Sequence, residues 1–195
     1  MNGATTIAYG LLIGGALGGF VVALLTIFKP NLSPITAPIY AALEGLVLGT
    51  ISAVFETQYP GIVIQAVGLS IGVLAVMLFI YGTGIIRATE KFKIGVIAAM
   101  GAICLVYLVS MVLSLFGTNL PYIHDSGPVG IGFSLVVVVI AALNLILDFD
   151  FIEKGVQQQA PKYMEWYGGF SLLVTLIWMY LEILRLLAKM RGGRS

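Results

Sequence analysis

Long runs of apolar residues alternate with short polar breaks along the chain, and that spacing predicts membrane-spanning helices rather than amphipathic helices around a soluble core. A helix rises about 1.5 Å per residue, so crossing a hydrocarbon layer about 30 Å thick takes about 20 apolar residues. Six segments meet or approach that length: 7–28, 37–55, 61–81, 94–116, 129–152 and 166–188. The breaks between them carry turn chemistry, as in Lys29-Pro30-Asn31, Tyr59-Pro60-Gly61, Gly127-Pro128 and Ala160-Pro161. The expected architecture is all-α, a single transmembrane domain over 1–195 with no soluble domain inserted. The first segment is too long and too weakly basic at its start for a cleaved signal peptide, and it reads as a retained span.

Composition agrees. The chain is 59% hydrophobic and 10% charged, against about 25% charged in an average soluble domain. Its formal net charge of +1 offers no basic footprint for nucleic acid. The lipid bilayer is therefore the expected partner. The lone Cys104 excludes an internal disulfide and any multi-cysteine metal site, and it is expected to pack between helices. Glycines four apart (Gly10, Gly14 and Gly18; Gly15 and Gly19; Gly45 and Gly49; Gly68 and Gly72) predict small-residue faces for close helix packing. A homo-oligomer interface is the alternative use of such faces.

Lys29, Arg87, Lys91, Lys93, Lys154 and Lys162 gather in the loops 29–37, 82–93 and 153–165, which are expected to be cytoplasmic; the loops around Gln58 and His124 contain no Lys or Arg. Arg185, Lys189, Arg191 and Arg194 break this pattern if the last segment crosses fully and restore it if that segment re-enters. Hydropathy favours crossing.

Ionisable groups inside spans are costly unless paired, hydrated or neutralised, and so mark candidate functional sites. Glu44 lies within the second span. Asp148 and Asp150 end the fifth, on faces about 200° apart, and Glu44 and Asp148 are expected to share a depth. Asn144 precedes Asp148 by one turn and continues a stripe with Ala141 and Ser134. Glu182 lies late in the sixth segment, with Arg185 at a spacing that allows an ion pair. Two carboxylates in one low-dielectric site titrate as a unit. Deprotonated, such a site offers oxygen ligands to a hard cation such as Ca²⁺; protonated, it closes on itself. The residues thus point to a pH-gated cation path built from Asp148 with Glu44. His124, beside Asp125, reads as a solvated loop residue, and Tyr163, Trp166 and Tyr167 as interfacial aromatics. Without HExxH, P-loop or GxSxG patterns, no enzyme and no bound cofactor is expected.

Several strings are more specific. Pro38-Ile39-Tyr40-Ala41-Ala42-Leu43-Glu44-Gly45-Leu46, Tyr59-Pro60-Gly61-Ile62-Val63, Leu147-Asp148-Phe149-Asp150-Phe151-Ile152-Glu153, Met164-Glu165-Trp166-Tyr167 and Tyr180-Leu181-Glu182-Ile183-Leu184-Arg185 together resemble the Bax inhibitor-1/YccA family, especially its bacterial branch. The resemblance implies a helical bundle around a central last helix in the bacterial inner membrane. It also implies a pH-controlled Ca²⁺ leak attributed to an acidic pair, whose matching positions are Asp148 and Glu182. Six spans stand where the family has seven, and Glu182 stands where it has Asp. A straight last helix would hold Glu182 far from Asp148, so that pair meets only if the helix breaks near Gly168-Gly169 or begins along the surface. The YccA side of the family implies a second role, as a non-transporting partner of a membrane protease or stress-response complex.

Overall fold

The computed structural model describes residues 2–116 and 127–193. His124 and Asp125 lie outside them. Six long helices follow one another: α1 (Asn2–Phe28), α2 (Ser33–Gln58), α3 (Ile62–Gly82), α4 (Glu90–Leu115), α5 (Pro128–Gln157) and α6 (Tyr163–Gly192), with a 3-10 turn over Pro30–Leu32. No strand occurs among the described residues. Among the described residues five helices are long and apolar enough to cross a membrane, and α1 contributes a shorter apolar stretch, Leu12–Phe28. The protein is a polytopic membrane helical bundle.

Helix ends depart from the hydropathy pattern where local chemistry intervenes. α2 begins at Ser33 rather than near 37, because Pro34 in its first turn needs no amide partner there. Glu56, near the other end of α2, accepts the Gly61 and Val63 amides at 2.5 and 3.1 Å and so caps α3. The chain reverses through Gly61 at φ 78°, a left-handed conformation that favours glycine. α5 continues to Gln157, so Asp148 and Asp150 are both helical.

α6 is the central element, packed against α2, α3 and α5. It runs unbroken through Gly168 and Gly169, about 45 Å by helical rise. Four contacts tie it to α2 or the turn after it along the whole length. The Ser33 hydroxyl donates to the Tyr163 carbonyl at 2.7 Å, and the Tyr40 and Phe170 rings meet edge-on at 5.0 Å. Ser52 and the Tyr180 hydroxyl are 2.6 Å apart, and Arg191 donates to the Pro60 carbonyl at 2.9 Å. α2 and α6 are thus parallel, and the last segment traverses the bundle rather than turning back. Arg185, Lys189 and Arg191 accordingly lie toward the end opposite Lys29, Arg87 and Lys154.

Ile62, Ala66, Leu145, Ile146, Met179 and Leu184 form the buried centre. Outward faces carry exposed apolar side chains such as Ile71, Phe79, Leu105 and Val136, as a lipid-facing surface requires. The glycine stripes divide. Gly15, Gly18 and Gly19 bring α1 against α2, and a Cβ at Gly15 would lie 2.8 Å from Val47 Cγ2 and 3.2 Å from the Leu43 carbonyl. Gly45, Gly49, Gly68 and Gly72 have no neighbour within 4 Å of such a Cβ. Cys104, expected to pack, is exposed on α4.

Candidate functional site

Asp148 is 5% exposed, on the face of α5 that meets α6. Ser171 and Thr175, one turn apart on α6, place their hydroxyls against it. Ser171 Oγ donates to Oδ1 at 2.5 Å, and Thr175 Oγ1 donates to Oδ2 at 2.6 Å. Asn144 completes a chain by donating from Nδ2 to Thr175 Oγ1 at 2.8 Å. Both carboxylate oxygens are therefore satisfied by neutral groups, and among the described residues no Lys or Arg pairs with Asp148.

The other acids have different surroundings. Asp150 faces away and binds two ammonium groups, Lys154 at 2.7 Å and Lys93 of α4 at 3.0 Å. Glu182, 2% exposed, is gripped at Oε1 by Arg185 at 2.7 Å and by the Tyr107 hydroxyl of α4 at 2.9 Å. Its Oε2 is buried without a hydrogen-bond partner. Thr175 and Glu182 lie seven residues apart on an unbroken helix, about 10 Å along the axis. Asp148 and Glu182 therefore do not touch. Glu44 falls between the Tyr40–Phe170 and Ser52–Tyr180 contacts, which sets it level with the Ser171–Thr175 turn. It shares the depth of Asp148 but not its site: its carboxylate lies over Gly19 of α1, while α6 packs against both α2 and α5.

The Bax inhibitor 1 like family model matches residues 1–192. The chain belongs to that family. No curated protein and no solved structure matches it. In this Bax inhibitor 1-like protein the two buried acids are separately anchored, Asp148 to hydroxyls and Glu182 to Arg185 and Tyr107. Among the described residues, no three His, Cys, Asp or Glu side chains gather where they could hold a metal ion.

Sequence reasoning missed the hydroxyl partners. Ser171 and Thr175 stand at i and i+4 within an apolar run, a spacing that places them on one face and was available to be read. Tyr107 had no such signal, because an isolated tyrosine in an apolar helix reads as packing. Lys189 was also missed: it is 8% exposed and reaches Ser134 Oγ at 2.9 Å and the Gly130 carbonyl at 3.1 Å on α5.

Proposed function

We propose that this Bax inhibitor 1-like protein is a pH-sensitive leak channel or transporter for cations, with Ca²⁺ as cargo, and that Asp148 is the group at which protons and cations compete. The observation that carries this reading is a buried carboxylate whose partners among the described residues are all neutral. A carboxylate held inside a membrane by hydroxyls keeps its charge without cancelling it, so it attracts whatever cation reaches it. Ser171, Thr175, Asn144 and Asp148 supply hard oxygen atoms of the kind Ca²⁺ prefers. One carboxylate among neutral ligands makes a weak site, which suits an ion that must leave again.

A proton on Asp148 removes the charge and with it the attraction, so cation passage falls as the site becomes protonated. Glu44, level with Asp148 on the α1–α2 seam, adds negative charge at the same depth. Asp150 and Glu182 are already matched by cationic side chains, and their role is to hold α4 against α5 and α6. The loops 29–37, 82–93 and 153–165 face the cytoplasm of a bacterial inner membrane in this reading, since they carry the short-loop Lys and Arg residues.

Purified protein in liposomes tests the proposal. Ca²⁺ flux is expected to vary with pH, and Asp148→Asn is expected to lose that dependence. Equal pH profiles in wild type and variant would overturn it. Absence of flux from the wild type, with a membrane protease co-purifying, would favour the non-transporting reading.

A further inference from the structure

α4 is the most weakly held of the membrane-spanning helices beside α6. It packs on α5 and reaches α6 through Tyr107. Between α4 and α6 lies an apolar groove of about 450 Å³, lined by Met100, Ile103, Cys104, Leu108 and Met111 of α4 and Trp178 of α6. Tyr107 also lines it and carries the Arg185 guanidinium against its ring, 5.7 Å from the centroid. Arg185 thus stands at the groove's rim.

Depth and charge identify the occupant. α6 is about 45 Å long and the hydrocarbon layer about 30 Å thick, which leaves about 7 Å of helix beyond each edge when the two are centred. Arg185 is seven residues from the end of α6, about 10 Å by helical rise, and so sits at the hydrocarbon edge, where a long cationic side chain reaches headgroups. Trp178 lies two turns deeper. The groove therefore begins at headgroup level and descends toward the bilayer centre, the path of an acyl chain. Arg185 Nη1 makes both of its internal hydrogen bonds, to Glu182 and Tyr107. Arginine has five N–H donors, and those on Nε and Nη2 have no hydrogen-bond partner among the described residues. The Arg185 side chain is 43% exposed, and a guanidinium fork fits a phosphate.

We propose that this groove is a binding site for one anionic phosphoglycerolipid of the leaflet at the Pro60 end, its phosphate on Arg185 and one acyl chain between α4 and Trp178. The inference is independent of cation transport. The chain's two tryptophans make it testable, because Trp166 lies near the opposite end of α6, beside the basic loops. In a Trp166→Phe protein, Trp178 is the only reporter.

Reconstituted into vesicles containing phospholipids with brominated chains, this protein is expected to show Trp178 quenching with about a twofold preference for phosphatidylglycerol over phosphatidylcholine, less than the worth of one free cationic side chain because Arg185 is also paired with Glu182. Arg185→Gln alone would strand the buried Glu182, so the charge is removed with its partner. Glu182→Gln/Arg185→Gln is expected to abolish the preference while leaving quenching by brominated phosphatidylcholine unchanged. Cys104→Phe, which fills the groove, is expected to reduce quenching by both lipids. Equal quenching by the two lipids in the Trp166→Phe protein, or a preference that survives the double substitution, would overturn the proposal.

Discussion

Asp148 and Asp150 are two residues apart on one helix, yet they face opposite chemistry. Asp148 turns inward to two hydroxyls, one of which accepts the Asn144 amide; Asp150 turns outward to two ammonium groups. A change of about 200° around the helix separates a carboxylate whose charge is left uncancelled from one whose charge is spent on holding α4 against α5. Burial does not distinguish the acids by itself. Glu182 is as deeply buried as Asp148 but is paired with Arg185. Of the two buried acids among the described residues, Asp148 is the one without a cationic partner, and hydroxyl donors allow an uncompensated charge to persist there.

The comparison can be broken most sharply by neutralising each aspartate in turn. Asp148→Asn is expected to remove the pH dependence of Ca²⁺ flux from liposomes, whereas Asp150→Asn keeps it. A loss of pH dependence in both variants would erase the distinction. The largest change in stability is expected at the paired acid. Arg185→Ala leaves a carboxylate buried without its cation and should cost about 2 kcal/mol, the usual cost of breaking a buried pair discounted for the partial exposure of Arg185. Thermal unfolding in detergent would record it, and Glu182→Gln/Arg185→Gln should recover most of the loss. Thr175→Val removes a donor to Asp148 and the acceptor of Asn144, and should cost about 1–2 kcal/mol in the same assay, with Thr175→Ser close to wild type. Asp150→Asn should cost no more than about 1 kcal/mol, because its ion pairs lie near the surface. A larger loss there than at Thr175 would reverse the ranking.

The all-helical bundle, the small-residue face of α1 and the Glu182–Arg185 pair were all legible in the sequence, because each depends on spacing within one helix. The shared depth of Glu44 and Asp148 was legible for the same reason. What each acid faces was not. Ser171 meets Asp148 from another helix, and Tyr107 meets Glu182 from a third, so neither contact follows from periodicity. The direction of the last helix was ambiguous because its basic end contradicts the charge bias of the loops. The contacts from Ser33–Tyr163 to Pro60–Arg191 resolve it: α2 and α6 run side by side across the whole bundle. The open side of α4 escaped notice because an all-apolar helix has no periodicity to show which face lacks a neighbour.

Infrared difference spectroscopy of the protein in lipid, between acid and alkaline pH, tests most directly whether Asp148 exchanges a proton for a cation. A protonated-carboxyl band is expected to appear on acidification, to be absent from Asp148→Asn but present in Asp150→Asn, and to weaken when Ca²⁺ is added at fixed pH. A band that persists in Asp148→Asn, or one indifferent to Ca²⁺, would contradict the account.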